Sequence, residues 1–301
     1  MYDLVTIGGV TIDLFFKGVN LTVKNKRFFL AQGGKYTVDT FLENVGGGGA
    51  NVAIGCSHYS LDVAVLAKIG ENAFKQIILQ KLVKKNVSTE FLLYEKEFIN
   101  ISSILLGKSS EKTVIHYLTP HDSFALSPIL MNRLLNTRAV YMGNLPNISL
   151  DEKVHLLDYI KKAGKIIFLN LSRKDCQRGI DFVNPLLKRA DFFIINTHEY
   201  AELVGKKHES INFKKNCLKA FKNPIFTLVL TAGENGSYSY RDEIVTHIPA
   251  LKVSQIIDSS GAGDGYCAGF IAATLNNASL VEAMEEGSRY AKKILEKLGA
   301  N

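Results

Sequence analysis

The chain has 301 residues, 47% hydrophobic and 22% charged, with a formal net charge of +7. That is ordinary globular composition with enough chain for a large core, and the basic residues fall in short groups such as Lys24-Asn25-Lys26-Arg27, Lys84-Lys85 and Lys292-Lys293, without the long basic run of a nucleic-acid surface. Cys56, Cys176, Cys217 and Cys267 lack metal-binding spacing, the N-terminus has no signal pattern and no apolar stretch reaches a membrane span, so a cytoplasmic protein with no nucleic-acid or membrane partner is expected.

In chain order, Tyr2–Ile7 reads as a buried strand feeding a Gly8-Gly9 turn. Asp13 is a lone acid among Ile12, Leu14, Phe15 and Phe16. Residues 17–45 are more polar, and Lys35–Leu42 alternates weakly, as an exposed strand does. Beyond Gly46–Gly49, Ala50–Tyr59 suits a helix, Val63–Ile69 a strand, and Glu71–Lys85 carries Phe74, Ile77, Ile78 and Leu82 at helical spacing. Strand, helix and strand alternate, which points to a parallel sheet with crossovers.

Residues 89–119 break that rhythm. Phe91–Tyr94, Ile101–Leu106 and Thr113–Leu118 are strand candidates with no helix between them, and Ser109-Ser110-Glu111-Lys112 reads as a hairpin turn. An antiparallel excursion of this kind suggests a lid or dimer flap. Alternation then resumes, with strands at Ala139–Met142, Lys165–Leu169, Phe192–Ile195 and Ile225–Leu230 and helices at Leu150–Ala163, Asp175–Lys188 and Glu199–Val204. A hairpin, Gly236–Tyr240 with Ile244–Ile248, precedes two helices at about 262–276 and 280–298.

Four stretches carry chemistry. Asp258-Ser259-Ser260-Gly261-Ala262-Gly263-Asp264 opens a helix after an apolar segment. First-turn amides lack internal partners and carry the positive end of the helix dipole, so they attract anions. Asp264 sets a carboxylate where an anion would arrive, which is unfavourable unless the carboxylate has work to do, such as accepting a proton from a nucleophile attacking a phosphate. The simpler alternative is helix capping by Asp258, Ser259 or Ser260. Gly46–Gly49 fits neither GxGxxG nor, with the rest of the chain, GxxxxGK[ST]. It permits close backbone approach to a ligand, with Asn51 suited to hydroxyls; a flexible turn is the alternative. Asn196-Thr197-His198-Glu199 follows a strand, where Asn196 and Glu199 could hold Mg²⁺ through water or form a capping box. Thr231–Gly236 could lie beside a nucleotide phosphate or be an ordinary turn.

Together these residues resemble the ribokinase-like (PfkB) carbohydrate and nucleoside kinases. Asp258–Asp264 is similar to the family's D[ST][ST]GAGD signature, Gly46-Gly47 with Asn51 to its GG motif, Asn196-x-x-Glu199 to its NxxE motif, and Asp13 to its hydroxyl-binding acid. The resemblance covers the whole chain. It implies a single α/β/α ribokinase-like domain over residues 1–301, with a mostly parallel sheet and a discontinuous β lid at about 14–45 and 92–120. It implies transfer of the ATP γ-phosphate to a hydroxyl of a sugar, sugar acid or nucleoside, with Asp264 as base, kept ionised by the helix N-terminus. The amides of Gly261, Ala262 and Gly263 would form the anion hole. Asp13, Gly46, Gly47 and Asn51 would hold the substrate. Asn196, Glu199, Thr231, Gly233, Gly236, Asp258 and Ser288 would serve nucleotide and Mg²⁺, with Ser288 standing where many members carry Asn. K⁺ near the 258–264 loop and a homodimer through the lid also follow by resemblance. Lys112 or Arg173 would bind the phosphate of a phosphosugar, the alternative substrate class; a non-catalytic ligand-binding protein is the alternative outside the enzymes. Gly48, where ribokinases proper carry Lys, argues against ribose.

Overall fold

The structure, a computed structural model, describes residues 1–18, 21–25, 27–107, 112–121, 123–145 and 147–301. Ser109, Ser110 and Glu111 of the expected hairpin turn, and Lys26 of the first basic group, lie outside the described residues. The first half of the chain holds β1 (Tyr2–Ile7), β2 (Thr11–Lys17), β3 (Thr22–Lys24), β4 (Arg27–Phe29), β5 (Thr40–Gly46), α1 (Gly48–Ser57), β6 (Val63–Gly70) and α2 (Lys75–Lys84). Next come β7 (Val87–Ser88), β8 (Leu92–Glu95), β9 (Asn100–Leu106), β10 (Lys112–Leu118), α3 (Pro128–Leu134), β11 (Thr137–Met142) and α4 (Leu150–Lys162). The remainder is β12 (Ile166–Leu169), α5 (Arg173–Cys176), α6 (Ile180–Leu187), β13 (Phe192–Asn196), α7 (Thr197–Leu203), β14 (Thr227–Thr231), β15 (Ser237–Arg241), β16 (Ile244–Ile248), α8 (Ala262–Leu275) and α9 (Leu280–Leu295).

The large sheet runs β16-β15-β14-β13-β12-β11-β1-β6-β7, with β8 also on β6. Its pairings are parallel from β7 through β14 and antiparallel in the closing hairpin. Strand residues sort by twos between two cores. Leu4, Val63, Val65, Ala139, Tyr141, Ile194 and Val229 face one helical layer, drawn from α1, α2, α8 and α9. Val5, Ile7, Ala64, Val140, Phe193 and Leu228 face the other, drawn from α3 to α7. This is the expected three-layer α/β/α arrangement.

A smaller sheet, β10-β9-β2-β5, stands apart. Its first component begins at Thr11 rather than 14. Residues 92–95, expected in the lid, pair in parallel with β6 of the large sheet instead. The Lys35–Leu42 strand is displaced to β5. Asp175–Lys188 is broken, because Gly179 adopts φ 83° between α5 and α6.

Two helices aim their N-termini at one place. α1 and α8 are buried almost all round, and they pack so closely that a Cβ on Gly55 would come within 2.4 Å of the Ala268 Cβ. α9 is amphipathic, burying Ala283, Met284, Gly287, Tyr290 and Ile294 along one stripe, and Ser279 with Glu282 forms a capping box at its start.

Candidate active site

Gly9, Asn144, Asn170, Asn196 and Thr231 follow or end β1, β11, β12, β13 and β14 and open into a common hollow. Ligands of open α/β sheets sit at this carboxyl edge. Three cavities meet there. The largest, about 840 Å³, is lined by Asn170, Asn196, Glu199, Thr231, Gly263 and Asp264. A second, under the small sheet, is lined by Asp13, Gly47, Asn51, Ser102, His116 and Asp264. A third is lined by Thr231, Gly233, Gly236, Gly263, Tyr266 and Ser288. Asp264 is thus shared by the first two and Gly263 by the first and third.

The 258–264 loop is not the simple cap that Asp258, Ser259 or Ser260 could have made. Gly261, in the left-handed region at φ 73°, occupies the N-cap of α8, and no side chain caps that helix. The Ala262 amide makes a long 3.5 Å bond to the Ser259 carbonyl. α1 likewise starts from Gly47 without a side-chain cap. Asp258 is almost fully buried. It accepts from the Lys112 ammonium at 2.5 Å, the Ser260 amide at 2.8 Å and the Gly299 amide at 3.2 Å. Burial alone would raise its carboxyl, but the bonds from Lys112 and Ser260 outweigh it and hold the group below the ordinary range. Expected at the nucleotide, Asp258 instead spends its oxygens inside the protein.

Asp264 departs from expectation in its acidity. Burial raises its carboxyl, the charge of Asp13 raises it further, and the hydrogen bond from Asn51 only partly offsets them. A helix N-terminus alone does not decide its ionisation, and a raised carboxyl is a stronger proton acceptor. Asn51 Nδ2 donates to Asp264 Oδ2 at 2.8 Å, and Asn301 Nδ2 in turn donates to Asn51 Oδ1 at 3.0 Å. Asn51 therefore orients the acid while facing the second cavity.

Asp13 lies in a cross-strand row of the small sheet, opposite Asn44 on β5 and Ser102 on β9, with His116 of β10 opposite Ser102. Thr11 Oγ1 donates to Asp13 Oδ1 at 3.0 Å, and Ser102 Oγ lies 3.0 Å from His116 Nδ1. Burial raises the Asp13 carboxyl, against hydrogen bonds from Ser102 and Thr11. Gly46 is required beside it, since a Cβ there would stand 1.9 Å from Asp13 Oδ2. Gly47 has φ 91°, and its Cβ would meet the Gly9 carbonyl oxygen at 2.4 Å.

Asn196 and Thr231 pair across adjacent strand ends. Asn196 Oδ1 accepts from the Glu199 amide at 2.8 Å and Glu199 Oε2 from the Asn196 amide at 2.9 Å, so the capping box forms. Both residues also line the largest cavity. Burial raises the Glu199 carboxyl. No cluster of three acidic, His or Cys side chains able to hold a metal occurs among the described residues. One half-engaged carboxylate beside an amide fits a hydrated Mg²⁺ carried by phosphates and held through water, not a cation stripped of its shell. Ser288 Oγ donates to the Met284 carbonyl at 3.0 Å. Arg173 is a surface residue paired with Glu202.

Asn100, Ser102, His116, Asn144 and Asn170 were not singled out from sequence, yet all line the hollow. Asn144 and Asn170 stand just after apolar strand runs, as Asn196 ends one, so the signal was present. Ser102 and His116 enter only through strand register.

The fold matches the structure of Arabidopsis thaliana ribokinase complexed with ribose and ATP, at TM-score 0.81 and 19% identity over 99% of this chain and 94% of that one. The chain matches the pfkB family of carbohydrate kinases over residues 1–301 and belongs to that family, as an ATP-dependent carbohydrate or nucleoside kinase. It is 23% identical to the ATP-dependent 6-phosphofructokinase of Thermoanaerobacterium thermosaccharolyticum, over 99% of this chain and 89% of that protein. It is 22% identical to the 5-dehydro-2-deoxygluconokinase of Geobacillus thermodenitrificans, over 97% and 87%. Among the described residues, no helix is long and apolar enough to cross a membrane.

Proposed function

We propose that this kinase phosphorylates a hydroxyl of an uncharged sugar or nucleoside, with Asp264 as the base. The observation that carries the proposal is the meeting of three cavities at Gly263-Asp264, on a helix start left without a side-chain cap. The second cavity takes the acceptor, with Asp13, Asn51 and the backbone of Gly46 and Gly47 fixing its hydroxyls. The third takes the nucleoside part of ATP, against Gly233, Gly236 and Ser288. The largest takes the phosphates, with Thr231, Asn196 and Glu199 around them.

Asp264 accepts the hydroxyl proton as the oxygen approaches phosphorus. The amides of Gly261, Ala262 and Gly263 stabilise charge on the transferring group, a contribution of about 3 kcal/mol for a well-placed donor. Mg²⁺, when bound, neutralises phosphate charge; Asn196 and Glu199 would hold it through water. We take residues 1–301 as one domain and the small sheet as its lid, excluding water from the transfer. Phe41, Ile115 and Tyr117 lie exposed on the face of that sheet opposite Asp13, which supports a homodimer formed lid to lid.

The cations favour an uncharged acceptor over a phosphosugar. Lys112 is bound to Asp258 and Arg173 to Glu202, so neither faces the acceptor cavity as a free charge. The test is ATP consumption across neutral sugars, nucleosides, sugar acids and phosphosugars. Turnover on a neutral acceptor is expected. Preference for a phosphosugar would refute the substrate class, and silence across the panel would leave a ligand-binding protein on this fold.

A further inference from the structure

Resting on the kinase reading above, we infer that the Lys112 ammonium is the built-in cation of the 258–264 loop, delivered by the lid, and that phosphoryl transfer therefore needs no monovalent metal ion.

Lys112 begins β10 and pairs with Leu106 in the small sheet. Its partners, Asp258 and Ser260, belong to the loop that opens α8, 146 and 148 positions further along the chain. The ammonium can only donate, so Asp258 Oδ1 and Ser260 Oγ both accept from it. The Asp258 side chain is 0% exposed and that of Lys112 20% exposed. The remaining carboxylate oxygen accepts from the Gly299 amide at 3.2 Å. The charge of Asp258 is thus met inside the protein by a cation from the small sheet.

A potassium ion at this loop would need oxygen donors, and the two side-chain oxygens that converge here converge on nitrogen. The donor set does not fit K⁺ while Lys112 is in place. The same contact gives the loop a dependence on the lid. An unpaired buried carboxylate is strongly unfavourable, so withdrawing β10 would strand Asp258 and free Ser260, the residue before the Gly261 cap. Settling the lid restores both. Lys112 is a positioning residue: it acts on the anion site through Ser260 and Asp258 and does not face the acceptor cavity.

The experiment compares the full chain with Lys112→Met, Lys112→Ala and Lys112→Arg in potassium, sodium and tetramethylammonium chloride at equal ionic strength, recording turnover and thermal midpoint. The unaltered protein should show the same turnover and midpoint in all three salts. Lys112→Met should lose more than about tenfold in kcat, with KM for ATP little changed, as expected for a displaced catalytic group. Methylammonium should restore part of the turnover lost by Lys112→Ala, whose short side chain leaves room for it, and leave the unaltered protein unaffected, a response that a purely structural role would not give. Lys112→Arg, which keeps the charge, should retain more turnover than Lys112→Met. Stimulation of the unaltered protein by potassium over tetramethylammonium, or a Lys112→Met kcat equal to that of the unaltered protein, overturns the inference. If no acceptor is phosphorylated, the kinase reading fails separately. The midpoints then decide whether Lys112 is the loop's cation: a potassium-specific rise in the unaltered protein overturns that, and indifference to salt together with a lower midpoint for Lys112→Met upholds it.

Discussion

Gly46→Ala tests the acceptor side of the site by geometry alone. Gly46 is not among the residues with positive φ, so alanine suits the backbone and the perturbation is confined to one methyl group. That methyl would stand 1.9 Å from Asp13 Oδ2, against 3.4 Å for ordinary contact, and the carboxylate must retreat by about 1.5 Å. Retreat strains its bonds from Thr11 and Ser102, and hydrogen bonds to a charged group contribute about 1.5–3 kcal/mol each. A misplacement of about 1 Å can lower turnover about 100-fold, so kcat/KM for the acceptor should fall by about two orders of magnitude while KM for ATP holds. The assay is steady-state kinetics with each substrate varied, repeated in an Asp13→Ala background. There the methyl has no carboxylate to displace, and Gly46→Ala should add almost nothing. A loss of full size in both backgrounds would mean that the methyl acts through something other than Asp13, and the placement of the acceptor would be wrong.

Asp264→Asn should lower kcat by about 10²- to 10⁴-fold, the usual contribution of a positioned base, with ATP binding by calorimetry preserved. It should also raise the thermal midpoint at neutral pH. Because the folded-state pKa of Asp264 is raised, the acid makes the native state lose stability as pH rises from the unfolded-state value through the folded one; the asparagine variant escapes that loss, and its advantage should vanish at acid pH. Asn51→Ala removes a bond that lowers the Asp264 pKa, so the acid limb of the kcat/KM profile should move to higher pH; an unmoved limb would assign it to another group. Lys153→Met strands Asp175, its partner at 2.9 Å with side chains only 4% and 11% exposed. Denaturant unfolding should show a loss of about 3–5 kcal/mol without a change in KM.

Much of this was legible in the residues. Alternation of apolar strands with periodic helices located nearly every layer element, because sheets buried on both faces leave continuous apolar runs. α3 was missed although Ser127-Pro128, a cap followed by proline, announces it. Phe91–Tyr94 reads as a strand, but it pairs with β6 and not with the small sheet, since an apolar run does not say which edge it joins. The glycine and acid motifs gave the site's position. They could not give the acidity of Asp264, which depends first on its burial and then on Asn51 and Asp13, nor the engagement of Lys112. Both arise where the start of α8 and the loop before it meet residues far off in the chain, and local pattern carries no record of that.

The burial of α1 against α8 has a consequence during synthesis. α1 ends at Ser57 and α8 begins at Ala262, so at about 5–20 residues per second the ribosome needs roughly ten to forty seconds to span the interval. Throughout it, the sheet face bearing Leu4, Val63 and Val65 lacks the α8–α9 part of its cover. Until then the nascent chain has an incompletely covered apolar face, the kind of surface that chaperones hold during synthesis.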